Sequence, residues 1–172
     1  MGAATEVTVP ETVREIGAGA FYENGVVKRI TLPSCLDTIR HNAFAYCTVL
    51  TQVTLPESVT RIEEGAFKHC THLHTVILPK ELRLIDDSLF ENSGIEEITI
   101  PEGVEHIGKS AFAYCQQLHT VNIPSSVKTI GKCAFIECDK LTDADVSCMD
   151  LQLGVTWRKS SPKDNTHSEP KS

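Results

Sequence analysis

The chain has 172 residues, of which 41% are hydrophobic and 23% are charged, and its formal net charge is −7. This composition is typical of a folded globular chain. The negative charge argues against nucleic acid as the main partner, because phosphate backbones select basic surfaces. No apolar run approaches the roughly 18 residues that a membrane-spanning helix needs.

The N-terminal stretch, MGAATEVTVP, contains neither a basic region nor an apolar core, so it does not have the pattern of a signal peptide. The chain has seven cysteines. An odd number without an export signal favours reduced thiols in a reducing compartment. We therefore expect a cytoplasmic protein, although a fragment of a longer cell-surface chain would have the same features.

A repeat runs through most of the chain, and its prolines mark the period. Six prolines are separated by 23, 23, 23, 22 and 23 residues. They are Pro10, Pro33, Pro56, Pro79, Pro101 and Pro124. All six phenylalanines follow the same frame, each 11 residues after a proline. The single deletion falls between Phe90 and Ile95, in the turn-like stretch ENSG.

The repeated unit reads L-x-x-V-x-I-P-x-x-V-x-x-I-x-x-x-A-F-x-x-C-x-x. The alternation before the proline predicts a short strand whose apolar residues point inward. Proline lacks an N–H and ends the strand. The apolar pair after it predicts a return leg, either a second short strand or an irregular extended segment. The A-F-x-x-C stretch predicts a helical or 3₁₀ turn that places Ala and Phe in the core.

This unit carries the leucine-rich-repeat signature. Residues 95–115, IEEITIPEGVEHIGKSAFAYC, resemble the motif of BspA-like repeats, and the resemblance covers about residues 4–146. The Ile-Gly step of that motif is lost at Arg40, Glu63 and Asp86. The resemblance implies a right-handed β-solenoid or horseshoe, with parallel strands on one face and short turns or 3₁₀ segments on the other. It also implies a binding scaffold rather than an enzyme, in a family known for surface antigens and adhesins.

The sequence predicts one repeat domain over residues 4–157 and a disordered polar tail over residues 158–172. LTDADV at 141–146 fits a seventh strand, and MDLQLGVTW fits a capping strand. Solenoids need polar caps over their terminal apolar layers. The segment before Val7 is too short to form such a cap, so the first apolar layer should be exposed. That layer predicts either a longer array or end-to-end association.

Three patterns could indicate chemistry, and each has a structural explanation. The cysteine column holds Cys47, Cys70, Cys115 and Cys138, but Asn24 and Ser93 fill the same slot, so we expect small buried residues and free thiols. The stretch HCTHLH suggests zinc, yet the frame turns Cys70 inward and separates the histidines. The paired carboxylates at 63–64, 86–87 and 96–97 should be solvated. We therefore predict no enzyme activity, no metal and no cofactor.

The outward positions of the strands, four and two residues before each proline, are the predicted protein-binding surface. They include Glu6, Arg29, Gln52, Thr54, Thr75, Ile77, Glu97, Thr99, Thr120 and Asn122. Glu6 and Arg29 should pair across neighbouring repeats, and Ile77 breaks a column of threonines. The prediction is a protein-interaction scaffold with a protein partner. Two alternatives stay open: a fragment of a surface adhesin that binds host or matrix proteins or glycans, and a structural array without a specific ligand.

Overall fold

The computed structural model describes residues 5–141 and 145–146 as a solenoid of parallel strands. Each 23-residue coil is called a rung and is numbered by its proline, from Pro10 in the first to Pro124 in the sixth. The strands before the prolines form one side of the coil. They are β1 (Glu6–Thr8), β3 (Arg29–Thr31), β5 (Gln52–Thr54), β8 (Glu97–Thr99) and β10 (Thr120–Ile123). The same side continues with β12 (Asp145–Val146), which precedes Ser147 and pairs with β10.

The return leg after each proline is also a strand, so the irregular alternative is wrong. These second strands have two residues each and pair in parallel. They are β2 (Glu15–Ile16), β4 (Thr38–Ile39), β6 (Arg61–Ile62), β7 (Leu84–Ile85), β9 (His106–Ile107) and β11 (Thr129–Ile130). The described part of the chain contains no helix, and thus none long and apolar enough to cross a membrane.

The core is one continuous cluster shared by all rungs, as the repeat predicts. The inward residues of the first strands, the alanines and the phenylalanines are buried from the second rung to the sixth. The inward residues of the second strands are buried up to Ile107, and Ile130 is partly buried. The six phenylalanine rings form a stack with centroid separations of 5.1, 5.2, 5.6, 5.5 and 5.2 Å. Stability therefore depends on contacts between neighbouring rungs, because no rung can bury its own apolar side.

The A-F-x-x-C segment forms successive turns and not a helical one. The residues two before and two after each phenylalanine have positive φ, from 51° to 64°. Glycine at positions 19 and 65 and asparagine at positions 42 and 92 tolerate that conformation. Every second N–H group of the segment donates to a carbonyl three residues earlier in the same rung, as Tyr22 N–H does to Gly19 at 3.0 Å. A helix cannot continue through two such residues in each rung.

The remaining turn N–H groups donate to the next rung. Phe21 N–H donates to the Ala43 carbonyl at 2.7 Å, and Phe44 N–H donates to the Ala66 carbonyl at 2.8 Å. The same hydrogen bond links each phenylalanine N–H to the following rung, up to the sixth rung. The N–H groups two residues before and two residues after each phenylalanine form corresponding bonds. The turn face therefore carries three files of hydrogen-bonded peptide groups that run along the solenoid.

The regular pairing is interrupted at the fourth rung. Its first strand is reduced to Thr75, which bridges Gln52 and Glu97, and residues 76–78 lie outside the ladder. On the other side, β6 and β7 belong to different sheets. The deletion lies in the same rung, where a Cβ on Gly94 would come within 2.3 Å of the Thr71 carbonyl oxygen. The junction of the third and fourth rungs is called the seam.

The first rung is less buried than the inner rungs, and the other end of the solenoid continues into a seventh strand. Val7, Val13 and Phe21 of the first rung are only partly buried, whereas their counterparts in the second to fifth rungs are buried. At the other end, β12 pairs with β10, which confirms a seventh strand at residues 145–146. The predicted capping strand and the polar tail lie outside the described residues and stay predictions.

Candidate interaction surface on the strand face

The outward side chains of the first strands form a surface that is called the strand face. The parallel register aligns Glu6 with Arg29 and Gln52 in one column, and it aligns Thr99 with Asn122 in the next. All ten residues predicted from the sequence lie on this face. Nine are exposed and Thr120 is half-buried. Their orientation is as predicted, whereas a binding role for them stays a prediction.

The strand face carries little net charge although the chain has a net charge of −7. Glu6 and Arg29 form the predicted ion pair, with 3.0 Å between Oε1 and Nη1. From the third rung to the sixth, Glu97 is the single charged residue in the two outward columns. The rest of that stretch is threonine, glutamine, asparagine and one isoleucine. Depletion of charge is a property of the centres of protein interfaces.

Ile77 lies within this charge-poor stretch with 76% of its surface exposed. Its β-branched side chain belongs to the rung whose ladder is interrupted. A depression of about 440 Å³ lies on one side and is lined by residues of the second to fourth rungs. A second depression, of about 400 Å³, lies on the other side and is lined by residues of the fourth to sixth rungs. The strand face thus has an apolar centre with a recess on either side.

The side chains around the second strands form a different surface, rich in ion pairs. Arg40 bonds Glu15 at 2.8 Å and Glu63 at 3.0 Å, and Arg61 lies 3.2 Å from Glu63. The prediction that Glu63 is solvated is wrong, because its side chain is only 11% exposed. Burial raises the pKa of Glu63, but the His41 N–H and the Arg40 guanidinium together lower it by more than burial raises it. The net shift of the pKa is therefore downward.

The cysteine column serves the fold, as predicted. The Cys70 thiol donates to the Phe44 carbonyl of the preceding rung at 3.1 Å, and Cys47 makes the same bond to Phe21 at 2.9 Å. Burial raises the pKa of Cys47 and of Cys115 to about 11 and raises that of Cys70 as well. A thiol that stays protonated near neutral pH is a poor nucleophile.

The HCTHLH stretch does not gather its histidines around one point. The His69 ring stacks on Tyr46 with 4.4 Å between centroids, whereas His72 contacts the Thr48 carbonyl. His74 lies 3.5 Å from Glu96. Among the described residues no three His, Cys, Asp or Glu side chains form a group that could hold a metal ion.

A ridge of rings on the turn face was missed by the sequence reasoning. Tyr22 contacts Tyr46 edge-on at 5.5 Å, and the His69 ring continues the row. His69 Nδ1 accepts a hydrogen bond from the Asn92 side-chain amide at 2.8 Å. Burial and the nearby Lys68 cation lower the pKa of His69. The 23-residue spacing of Tyr46 and His69 was the signal that could have revealed this row.

Parallel strands on one side of each coil, turns on the other and a shared core define a leucine-rich-repeat solenoid. A model of the "BspA type Leucine rich repeat region" matches six copies over residues 2–95 and 37–152. The chain therefore belongs to the BspA-type leucine-rich-repeat family.

Solved bacterial structures have the same architecture. A leucine-rich repeat protein from Bacteroides ovatus is 35% identical, with a TM-score of 0.77 over 79% of this chain. A leucine rich cell surface protein from Faecalibacterium prausnitzii is 37% identical, with a TM-score of 0.77 over 81% of this chain. The match spans 38% of each of those two chains. The T. pallidum leucine-rich repeat protein is 26% identical, with a TM-score of 0.74, 81% of this chain covered and 78% of its own. No curated protein matches the chain.

Proposed function

We propose that this protein is a non-enzymatic scaffold that binds a protein partner on the strand face. The observation that carries the proposal is the stretch of the strand face from Gln52 to Asn122, in which Glu97 is the single charged outward residue and Ile77 is exposed. An exposed isoleucine beside two recesses provides apolar area that a partner can bury, and the surrounding threonine hydroxyls provide hydrogen bonds. The ion-paired second strands offer no comparable surface.

The chemistry of the described residues supports a role without catalysis. The buried thiols have raised pKa values, and Glu63 is engaged by Arg40 and Arg61. A nucleophile needs an activating base and a partly exposed position. Both groups instead link neighbouring rungs, so we assign them to the stability of the solenoid.

A place on the cell surface is the second candidate, and one relative favours it. The Faecalibacterium prausnitzii protein that is 37% identical is described as a cell surface protein. On a surface the same strand face would meet proteins of the surroundings. The cytoplasmic location expected from the sequence is the competing prediction, and cell fractionation with an antibody to this chain separates the two.

Photo-crosslinking tests the strand face directly. A photoreactive amino acid replaces Thr54 in one variant and Thr60 in a matched control, because both threonines are exposed and lie in the same rung on different sides. We expect cross-linked proteins from cell extract to be enriched about tenfold at position 54 relative to position 60, since an interface excludes solvent from the residues it covers. Equal cross-linking at both positions would contradict the proposal.

A further inference from the structure

The side of the solenoid that carries the second strands is called the second-strand side, and its charges change sign between the fourth and the fifth rung. The change occurs in three columns, at one, four and eight residues after the proline. The three pairs are Lys80 and Glu102, Arg83 and Glu105, and Asp87 and Lys109. All of them are exposed except Glu105, which is half-buried. The fourth and fifth rungs therefore present opposite charges at equivalent positions.

The column at eight residues after the proline continues the pattern into the third and the sixth rung. From the third rung to the sixth it contains Glu64, Asp87, Lys109 and Lys132, and all four are exposed. The Asp87 carboxylate accepts the backbone N–H of Lys109 at 2.7 Å. Among the described residues, however, none of these four side-chain charges takes part in an ion pair. Two acids followed by two bases thus remain available to a partner.

This order of charges does not serve contacts within one chain. Neighbouring rungs lie about 4.8 Å apart, so the two acids of the column stand side by side and so do the two bases. Equal charges at that spacing repel each other. Where the solenoid uses charge between its own rungs, the signs are opposite, as in Glu105 and Lys128 at 2.6 Å. The column therefore suits a partner whose charges run in the reverse order.

A second copy of the same chain, turned upside down, has that reverse order. In a two-fold dimer a surface patch meets the same patch of the other copy. When the symmetry axis runs across the second strands, each column faces itself with its rungs reversed. An axis between the fourth and fifth rungs sets these two against each other and the third against the sixth. The residues that then meet are Lys80 and Glu102, Arg83 and Glu105, Asp87 and Lys109, and Glu64 and Lys132. Every pair has opposite signs and occurs twice.

Other arrangements of two copies bring like charges together. An axis on the fourth rung sets Asp87 against its own copy, and an axis between the third and fourth rungs sets Glu64 against Asp87. A shift in the other direction sets Lys109 against its own copy or against Lys132. A parallel dimer reverses the columns and sets Glu57 against Glu64. Juxtaposed like charges suppress wrong arrangements, so the signs select one register.

An exposed leucine lies next to that axis. Leu84 on β7 is 42% exposed and is aligned with His106 on β9. In the antiparallel arrangement, Leu84 of each copy faces His106 of the other. An apolar contact at the centre with charged pairs around it is the usual organisation of a protein interface. The centre lies within the sheet of β7, β9 and β11, so the seam does not cross it.

We infer that the second-strand side binds a second copy of this chain and forms an antiparallel two-fold dimer with its axis between the fourth and fifth rungs. The dimer is weak and sensitive to salt, because exposed ion pairs contribute little each and are screened. The inference goes beyond the proposed function and does not depend on it. Both strand faces stay accessible in the dimer, which provides two sites for a partner with two epitopes.

Sedimentation equilibrium of the full chain tests the dimer with charge-reversal variants. Glu64→Lys sets lysine against Lys132 of the second copy, and Lys132→Glu sets glutamate against Glu64. We expect each variant to dimerise at least about tenfold more weakly than the wild type. Lys28→Glu is the matched control, because Lys28 is exposed next to β3 on another side, and its Kd should stay within about twofold of the wild type.

An equimolar mixture of the two weakened variants tests the register. The lysine introduced at position 64 of one chain then faces the glutamate introduced at position 132 of the other, and the remaining pair is native. The mixture should therefore dimerise within about threefold of the wild type. Within one chain the two positions lie three rungs apart, or about 14 Å, so an intramolecular ion pair cannot account for the recovery.

Several results would overturn the inference. They are a wild type that stays monomeric at about 500 µM in about 50 mM NaCl, and a Kd that rises less than about threefold from there to about 500 mM NaCl. Single variants that dimerise like the wild type, a mixture that does not recover, or an equal loss in Lys28→Glu would do the same. The proposed function stands or falls separately, on cross-links from position 54 to another protein. Mass spectrometry distinguishes these from cross-links between two copies at position 60.

Discussion

The phenylalanine stack allows the same substitution to be compared in two environments. Phe67 is fully buried, and its ring lies between Phe44 at 5.2 Å and Phe90 at 5.6 Å. Phe21 occupies the same column of the first rung, but it is partly exposed and stacks on Phe44 alone at 5.1 Å. Truncation to alanine should therefore cost far more free energy of unfolding at Phe67 than at Phe21.

The magnitudes follow from what each ring loses. Phe67→Ala leaves a closed cavity and removes two ring contacts, which places it at about 4 kcal/mol within the range for buried phenylalanines. Phe21→Ala removes one ring contact, worth about 1 kcal/mol, and leaves a dent open to solvent, so we expect about 2 kcal/mol in total. Urea denaturation followed by circular dichroism measures both values. Equal shifts of the midpoint would refute the idea that burial by the neighbouring rung sets the cost.

Two further predictions concern groups between the rungs. The Cys70 thiol should resist a thiol reagent in the native protein at pH 8 and react only after unfolding, because burial raises its pKa. Half-buried Cys35 should react in the native protein, and fast reaction of native Cys70 would contradict the prediction. The pKa of Glu63 is lowered by folding, so its contribution to stability is present at neutral pH and is lost as the pH falls below about 4. The difference in Tm between wild type and Glu63→Gln should shrink across that range, and a difference that does not depend on pH would count against the Arg40–Glu63 pair.

The repeat columns could be predicted because each is dictated by which way a strand residue points. Val53 and Thr54 alternate in and out for the same reason in every rung. The seam could not be predicted in the same way. It depends on how a deletion beside Gly94 changes the fit between two whole rungs, and the sequence shows only the deletion and the exchange of threonine for Ile77.

Glu63 shows a second limit of the sequence. The loss of glycine from the Ile-Gly step at Arg40 and Glu63 is visible in the aligned repeats. The sequence does not show that these two side chains meet or that Arg61 joins them. Both contacts depend on the distance between stacked rungs and on the side-chain rotamers. A column that varies between rungs therefore marks a place where side chains interact between neighbours, without saying which ones do.

The three files of peptide groups on the turn face give the solenoid an electrical direction. Every N–H in a file points toward the C-terminal rung, and every carbonyl points toward the first, because Phe21 donates to Ala43 and Phe44 donates to Ala66. Aligned peptide dipoles add, as they do in a helix. The carbonyls of Ala18, Ala20 and Tyr22, which begin the files, make the turn side of the first rung a negative pole. Two copies that met through the turn sides of their first rungs would set carbonyl against carbonyl, which disfavours that arrangement, whereas a rung that presents N–H groups would be favoured.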